Sequence, residues 1–245
     1  MSDDEQLDVI AVGAHPDDVE IGCGGTVAKL AEAGWRVGIV DLTDGEPTPV
    51  STGPEMRMAE AAAAATVLGV KKRITLPLVN RRLMDGWDER VALANVFRRH
   101  RPRLVIGLGE RTPLASPDHW QAMQITDAAM FYSRLTKWDE KFEGTTPHRI
   151  KALLHYSLGY EPFTAAPAGT VMMVDIGSTL EKKIEAVKCY ASQFPPEKAQ
   201  LFDRVKAMNQ SYGFAAGVEA CERLCSPRPF AVTDLMGQLG LGRPL

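Results

Sequence analysis

No stretch of the 245 residues approaches the roughly 20 consecutive apolar positions that a membrane helix needs. The opening Met1-Ser2-Asp3-Asp4-Glu5 has neither the basic flank nor the apolar core of a secretory signal, so a cytoplasmic protein without membrane contact is expected. Cysteine is sparse. The four residues Cys23, Cys189, Cys221 and Cys225 show no CxxC spacing, which argues against a disulfide framework and leaves reduced thiols as the expectation. Cys221 and Cys225 stand one helical turn apart, but no histidine lies near them in sequence to complete a metal site. An excess of either charge is also missing, with 28 Lys and Arg against 31 Asp and Glu and a net charge of -3. Such a chain has no general attraction for nucleic acid, and any anionic substrate must be held by local groups. There is no internal repeat and no low-complexity tract. Finally, Gly22, Gly24 and Gly25 do not form GxGxxG, and His15 occupies the turn where a dinucleotide site wants glycine, which argues against a nicotinamide enzyme.

What is present is an ordinary globular composition, 45% apolar and 24% charged, on a length that suits one α/β domain spanning residues 1–245. Apolar runs at 7–12, 35–42, 74–76 and 104–108 alternate with helical patterns at 26–33, 55–68 and 88–100, as in a mostly parallel, Rossmann-like sheet flanked by helices. Pro54 and Gly69 bracket the alanine-rich helix at 55–68. Ser116-Pro117 reads as the start of another helix, running to about Lys137. Strands at 150–158 and 170–176 and helices at 179–192 and 197–212 follow, the last two broken by Pro195-Pro196. The Pro-, Gly-, Ser- and Thr-rich segment 43–54 reads as a loop beside His15, a candidate pocket wall.

The chemistry concentrates in Ala14-His15-Pro16-Asp17-Asp18, just after the first apolar run. An unbroken run ending in polar groups is a buried parallel strand that presents them at its carboxyl end, where open α/β sheets bind ligands. His15 and Asp18 can reach one metal ion from a tight turn, and Asp17 between them need not be a ligand. A catalytic zinc site takes three protein ligands and keeps one position open. His119, placed after the second buried run at 104–108, is the candidate third ligand.

With these residues the chain resembles the LmbE/PIG-L family of zinc-dependent de-N-acetylases, whose signature begins with AHPDD and ends with a histidine in a PDH triplet. Matching segments are AVGAHPDDVEIGCGGTVAKL, RVGIVDLTDGE, MRMAEAAAAATVLGV, SPDHWQA, LEKKIEAVKCYASQF and SPRPFAVTDLM. Within the family it is most similar to the bacillithiol-pathway branch, which deacetylates N-acetylglucosaminyl malate. The resemblance implies zinc, or another divalent ion such as iron or cobalt, on His15, Asp18 and His119, and attack of a zinc-bound water on an N-acetyl group. Asp17 is then the general base, since a carboxylate beside the metal can take the proton of a water whose pKa falls towards about 7. Arg57 is the family-matched residue for gripping a substrate oxygen or carboxylate, and Glu46 in the Asp44-Gly45-Glu46 turn is a further pocket candidate. An amino-sugar conjugate as substrate and a homo-oligomer, trimeric or hexameric, are implied in the same way.

The chain also departs from the pattern. Most relatives carry a histidine before the PDH triplet, where this chain has Ser116, and a serine hydroxyl cannot carry positive charge towards an oxyanion. His155 or an arginine would have to substitute. The acidic-arginine pair upstream becomes Glu110-Arg111, and the acidic sugar-binding position after the third strand becomes Asn80. An alternative reading is therefore a conjugate-binding protein that keeps the metal pocket but has weakened catalysis.

Overall fold

The computed structural model describes residues 6–109, 111–113, 115–159 and 170–233. Its centre is β1 (Val9–Gly13) and β2 (Val37–Thr43), every residue of which is buried. Two faces of helices cover them, which is why both read as unbroken apolar runs rather than alternating ones. β3 (Lys72–Leu78) is partly exposed and carries Pro77, a residue that only a sheet edge tolerates well. β4 (Leu104–Leu108) pairs parallel with β1 on its other side, and β5 (Ala152–Tyr156) pairs parallel with β4.

The seven-stranded sheet has the order β3-β2-β1-β4-β5-β7-β6. β6 (Thr170–Asp175) and β7 (Cys221–Ser226) run antiparallel, with β7 inserted between β5 and β6. The chain winds outward from β1 to β3 and then returns to β4 on the opposite flank of β1. Strand order thus reverses between β1 and β4, and a crevice opens at their carboxyl ends. The mostly parallel α/β architecture expected from the sequence is the one observed. Among the described residues no helix is long and apolar enough to cross a membrane.

Helices α2 (Pro54–Leu68) and α3 (Trp87–His100) fall where the sequence pattern placed them, α2 starting on Pro54 and ending at Gly69 in the left-handed conformation. α4 (Asp118–Tyr132) ends about one turn before the expected Lys137. α5 (Leu180–Lys188) is shorter than the expected 179–192, α6 (Gln200–Ala216) is displaced by a few residues from the expected 197–212, and each is preceded by a short 3-10 turn.

The largest departure is α1 (Asp18–Glu32), which begins eight residues before the expected Thr26 and is kinked at Cys23, where φ is -144°. The glycines around the kink are contact surfaces rather than a loop. A Cβ on Gly22 would lie 2.1 Å from the Tyr156 ring, whose hydroxyl donates to the Val12 carbonyl, and one on Gly25 would lie 2.8 Å from Ile176. Past the kink the helix restarts with free amides. Glu222 of β7 accepts from Gly25 N at 2.9 Å and Thr26 N at 2.7 Å, and Lys183 of α5 donates to the same carboxylate at 2.6 Å. A buried carboxylate at a helix N-terminus satisfies orphan donors and is itself neutralised by the lysine.

Gly22→Ala is expected to lower unfolding stability by at least about 1–3 kcal/mol, the usual range for overpacking a filled site. A urea midpoint unchanged from wild type would show that the Tyr156 ring yields freely.

Candidate active site

The β1–α1 turn is shaped by one carboxylate. Asp18 Oδ2 accepts from the backbone N–H of Ala14 at 2.9 Å and of His15 at 3.0 Å, folding the side chain back under the turn. Its other oxygen faces His119 Nε2 at 3.3 Å, and His15 Nδ1 stands 3.5 Å from Oδ2. His119 arrives from the first turn of α4, across the crevice. One ligand atom from each of His15, Asp18 and His119 fits within a set whose members lie within 4.8 Å of one another. The three residues singled out as ligands from the sequence therefore meet at one point.

Each imidazole is oriented by a partner on its far side. Thr112 Oγ1 and His119 Nδ1 are 2.7 Å apart, which turns Nε2 towards Asp18. Asp118 Oδ2 lies 3.4 Å from His15 Nε2 and also accepts from the Arg81 amide at 2.6 Å. Carboxylate or hydroxyl partners of this kind fix the tautomer and ring angle of metal-binding histidines. Ser116 Oγ accepts from Asp118 N at 3.3 Å, so it serves the turn that carries Asp118.

Charge decides whether a cation belongs here. The other buried carboxylates of this end have basic partners: Glu20 and Asp41 share Arg73, while Asp17, Glu46 and Glu60 lie within 3.6–3.8 Å of Arg57. Asp18 and Asp118 are buried too, and among the described residues only histidines form ion pairs with them. The titration behaviour reflects that deficit. Burial works against charge on His15, but the Asp118 and Asp18 carboxylates outweigh it and push its pKa up to about 10. Burial also opposes ionisation of Asp18, yet His119 and His15 hold its carboxyl well below the usual range. The two-nitrogen, one-carboxylate donor set suits zinc or a neighbouring divalent metal.

Asp17 sits at the strained point of the turn, with φ at 116°, a conformation uncommon for a non-glycine residue. This points its carboxylate into the cleft rather than back under the turn. Burial, reinforced by the Asp18 charge, pushes its pKa up to about 8 against the opposing pull of Arg57.

Arg57, in the first turn of α2, is 1% exposed and donates through Nη2 to the Pro16 carbonyl at 2.6 Å. Its Nε and Nη1 are buried without a hydrogen-bond partner, although the residue lines the cleft. These two donors face the Glu46 and Glu60 carboxylates at 3.8 and 3.6 Å, so they are held by charge rather than by hydrogen bonds. Glu46 is placed differently from the other candidates. Its carboxylate accepts from Thr48 Oγ1 at 2.9 Å and Thr48 N at 3.2 Å, stands 3.8 Å from Arg57 Nε, and is not among the cleft-lining residues. It acts on the cleft through Arg57.

The cleft itself holds about 260 Å³, with His15, Asp17, Asp18 and His119 among its walls. Thr48, Asn80, Arg81 and Gln193 supply further polar lining, and Ile21, Leu158 and Phe194 an apolar one. Ser116 lines it in the position before Pro117, while His155 does not, because its Nε2 is bonded to Asp127 Oδ1 at 2.9 Å. His155 is thus no substitute for the missing histidine; Arg57 and Arg81 are the lining cations. Arg111 stacks over Trp120 at 4.7 Å, whereas Glu110 and the Asp234 to Met236 end of the last matching segment lie outside the described residues.

Thr112→Val is expected to weaken divalent-metal binding by roughly 10–100-fold, as loss of an orienting partner usually does. Competition against a chromophoric chelator measures it, and an affinity equal to wild type would remove Thr112 from the site. Because His15 must lose its proton to ligate, the same titration should release acid and weaken as pH is lowered from 8 to 6.

Residues 10–130 match the PIG-L family, described as GlcNAc-PI de-N-acetylase. The diacetylchitobiose deacetylase of Thermococcus kodakarensis is 31% identical over 204 residues, covering 80% of this chain and 73% of the relative. A conserved protein of Thermus thermophilus superposes with a TM-score of 0.81 at 32% identity, covering 94% of this chain and 99% of its own. The N,N'-diacetylchitobiose deacetylase of Pyrococcus horikoshii, solved with an inhibitor, gives a TM-score of 0.77 at 26% identity over 88% of this chain and 82% of its own.

Proposed function

The chain belongs to the PIG-L family of de-N-acetylases, and from that premise we propose that it removes the acetyl group from an N-acetylglucosamine-type conjugate by metal-assisted amide hydrolysis. The observation that carries the reading is the meeting of His15, Asp18 and His119 donor atoms within 4.8 Å at a cleft that Asp17 also lines. A divalent ion held there supplies Lewis acidity, acidifying water and polarising an amide carbonyl.

The protein's own groups do the rest. Asp17 takes the proton of the attacking water and returns it to the departing amine, a role that needs a carboxylate able to hold a proton near neutral pH. Its elevated pKa supports this, and a cation at the neighbouring triad would pull it down towards the operating range. The Arg57 guanidinium, held in place by Glu46, Glu60 and the Pro16 carbonyl, supplies positive charge at the cleft wall for the sugar's oxygens. Ile21, Leu158 and Phe194 offer the apolar surface that one face of a pyranose ring can cover. On the side of Ser116 only a hydroxyl meets the developing oxyanion, where a positively charged donor would serve better. The bacillithiol-type substrate N-acetylglucosaminyl malate remains one member of the substrate class, beside neutral conjugates such as diacetylchitobiose.

Acetate release from that malate conjugate, diacetylchitobiose and N-acetylglucosamine tests the reading. Asp17→Asn should lower kcat by about 10²- to 10⁴-fold, the range for a lost general base, while the metal content stays at the wild-type level. Tight binding of a conjugate with no acetate released from any of them would make the protein a binder rather than an enzyme.

A further inference from the structure

The rim of the cleft carries a charge that the deacetylation chemistry does not use. β3 ends at Leu78, and the chain then makes a turn in which Arg82 N donates to the Val79 carbonyl at 3.1 Å. Arg81 occupies this turn with φ at 64°, a left-handed conformation that a long side chain adopts only when its surroundings fix it. They do so twice. Its amide donates to Asp118 Oδ2 at 2.6 Å, the same oxygen that faces His15, and its Nη2 donates to the Pro47 carbonyl at 2.8 Å. Asn80 makes a parallel bond, Nδ2 to the Glu46 carbonyl at 2.9 Å. The turn is thereby tied both to the metal-ligand shell and to the 43–54 loop on the facing wall.

What distinguishes Arg81 is the absence of an acid. Arg57 and Arg73 each lie within 4 Å of at least two carboxylates, but among the described residues Arg81 and its neighbour Arg82 form no ion pair. Arg81 is exposed and lines the cleft, with donors left over after its single side-chain bond. The neutral amide at Asn80, in place of an acid, leaves no competing carboxylate in the turn.

We propose that Arg81 determines substrate specificity by binding an anionic group, a carboxylate or a phosphate, on the part of the conjugate remote from the acetamido group. This rests on the deacetylase reading and adds to it which aglycones the enzyme prefers. A guanidinium with free planar donors at the cleft rim suits such oxyanions, whether on carbon or phosphorus.

The test compares kcat/KM for a neutral methyl glycoside of N-acetylglucosamine, the carboxylate-bearing malate glycoside and N-acetylglucosamine 1-phosphate. Wild type should favour at least one anionic conjugate over the neutral one by tenfold or more, with the preference shrinking as salt is raised. The two anionic arms show which oxyanion is taken. In Arg81→Asn, chosen because asparagine tolerates the left-handed backbone, the loss on the preferred anionic conjugate should exceed the loss on the neutral one by at least tenfold, mainly in KM. Arg81→Lys should restore part of it. Equal losses on all three conjugates would reduce Arg81 to a tie between loops and overturn the proposal, as would a wild type indifferent to charge. If no conjugate releases acetate, the deacetylase reading fails on its own, and calorimetric binding of the same three compounds to wild type and Arg81→Asn decides the role of Arg81 by the same tenfold criterion.

Discussion

The site depends on the placement of one buried negative charge. Asp18 is 3% exposed, and a carboxylate so far from water is tolerable only where hydrogen bonds and positive charge surround it. Two amides of the turn and two imidazoles provide that surrounding. Because the amides come from Ala14 and His15 themselves, satisfying the charge also dictates the turn. The turn in turn rotates Asp17 to positive φ and aims it the other way. The placement of Asp18, the aim of Asp17 and the shape of the backbone are therefore consequences of one electrostatic requirement rather than three separate features.

That requirement can be met only on a rigid footing, and the footing is again ionic. Arg73 spans from the edge strand to Asp41 on β2 at 2.6 Å and to Glu20 in the first turn of α1 at 2.5 Å, with the Tyr190 hydroxyl donating to the same Glu20. Farther along α1, the Glu222–Lys183 pair caps the helix after its kink. Buried pairs of this kind contribute little net stability compared with apolar packing, but removing one partner is costly. Their effect is to pin α1 at two points, so that the turn preceding it has little freedom to relax when the charge on His15 or Asp18 changes. The antiparallel β7 belongs to this footing because it brings Glu222 to the helix.

The elements legible in the sequence were those whose physics is local. Unbroken apolar runs marked β1, β2 and β4, Pro54 and Gly69 marked the ends of α2, and the His15, Asp18 and His119 set followed from residue type and position at strand ends. What escaped was set by distant partners. The start of α1 was hidden because its glycines look like a loop until Tyr156 and Ile176 are seen against them. β7, Cys221–Ser226, carries Glu222 and Arg223 side by side and buries the glutamate, so hydropathy alone does not mark it as a buried strand. Asp118 could have been found, standing beside His119 in the PDH triplet, whereas nothing in sequence marks Thr112. The sequence marks Glu46 as an acid near the pocket, and the fold turns its charge towards Arg57 and Thr48.

The same division separates what this scaffold must keep from what it can change. The base of the cleft is assembled from strand ends and first helical turns, where each side chain answers to several buried partners, so substitution there disturbs the turn as well as the chemistry. The rim is made of loops at 43–54 and 79–86 that meet through main-chain carbonyls, Asn80 on Glu46 and Arg81 on Pro47. A carbonyl acceptor is present whatever the side chain is, so the residues at 46 and 47 can vary while Asn80 and Arg81 keep the two walls joined. In this chain an asparagine and two arginines stand at that rim, while the His15, Asp18 and His119 cluster at the base is assembled from separate contacts.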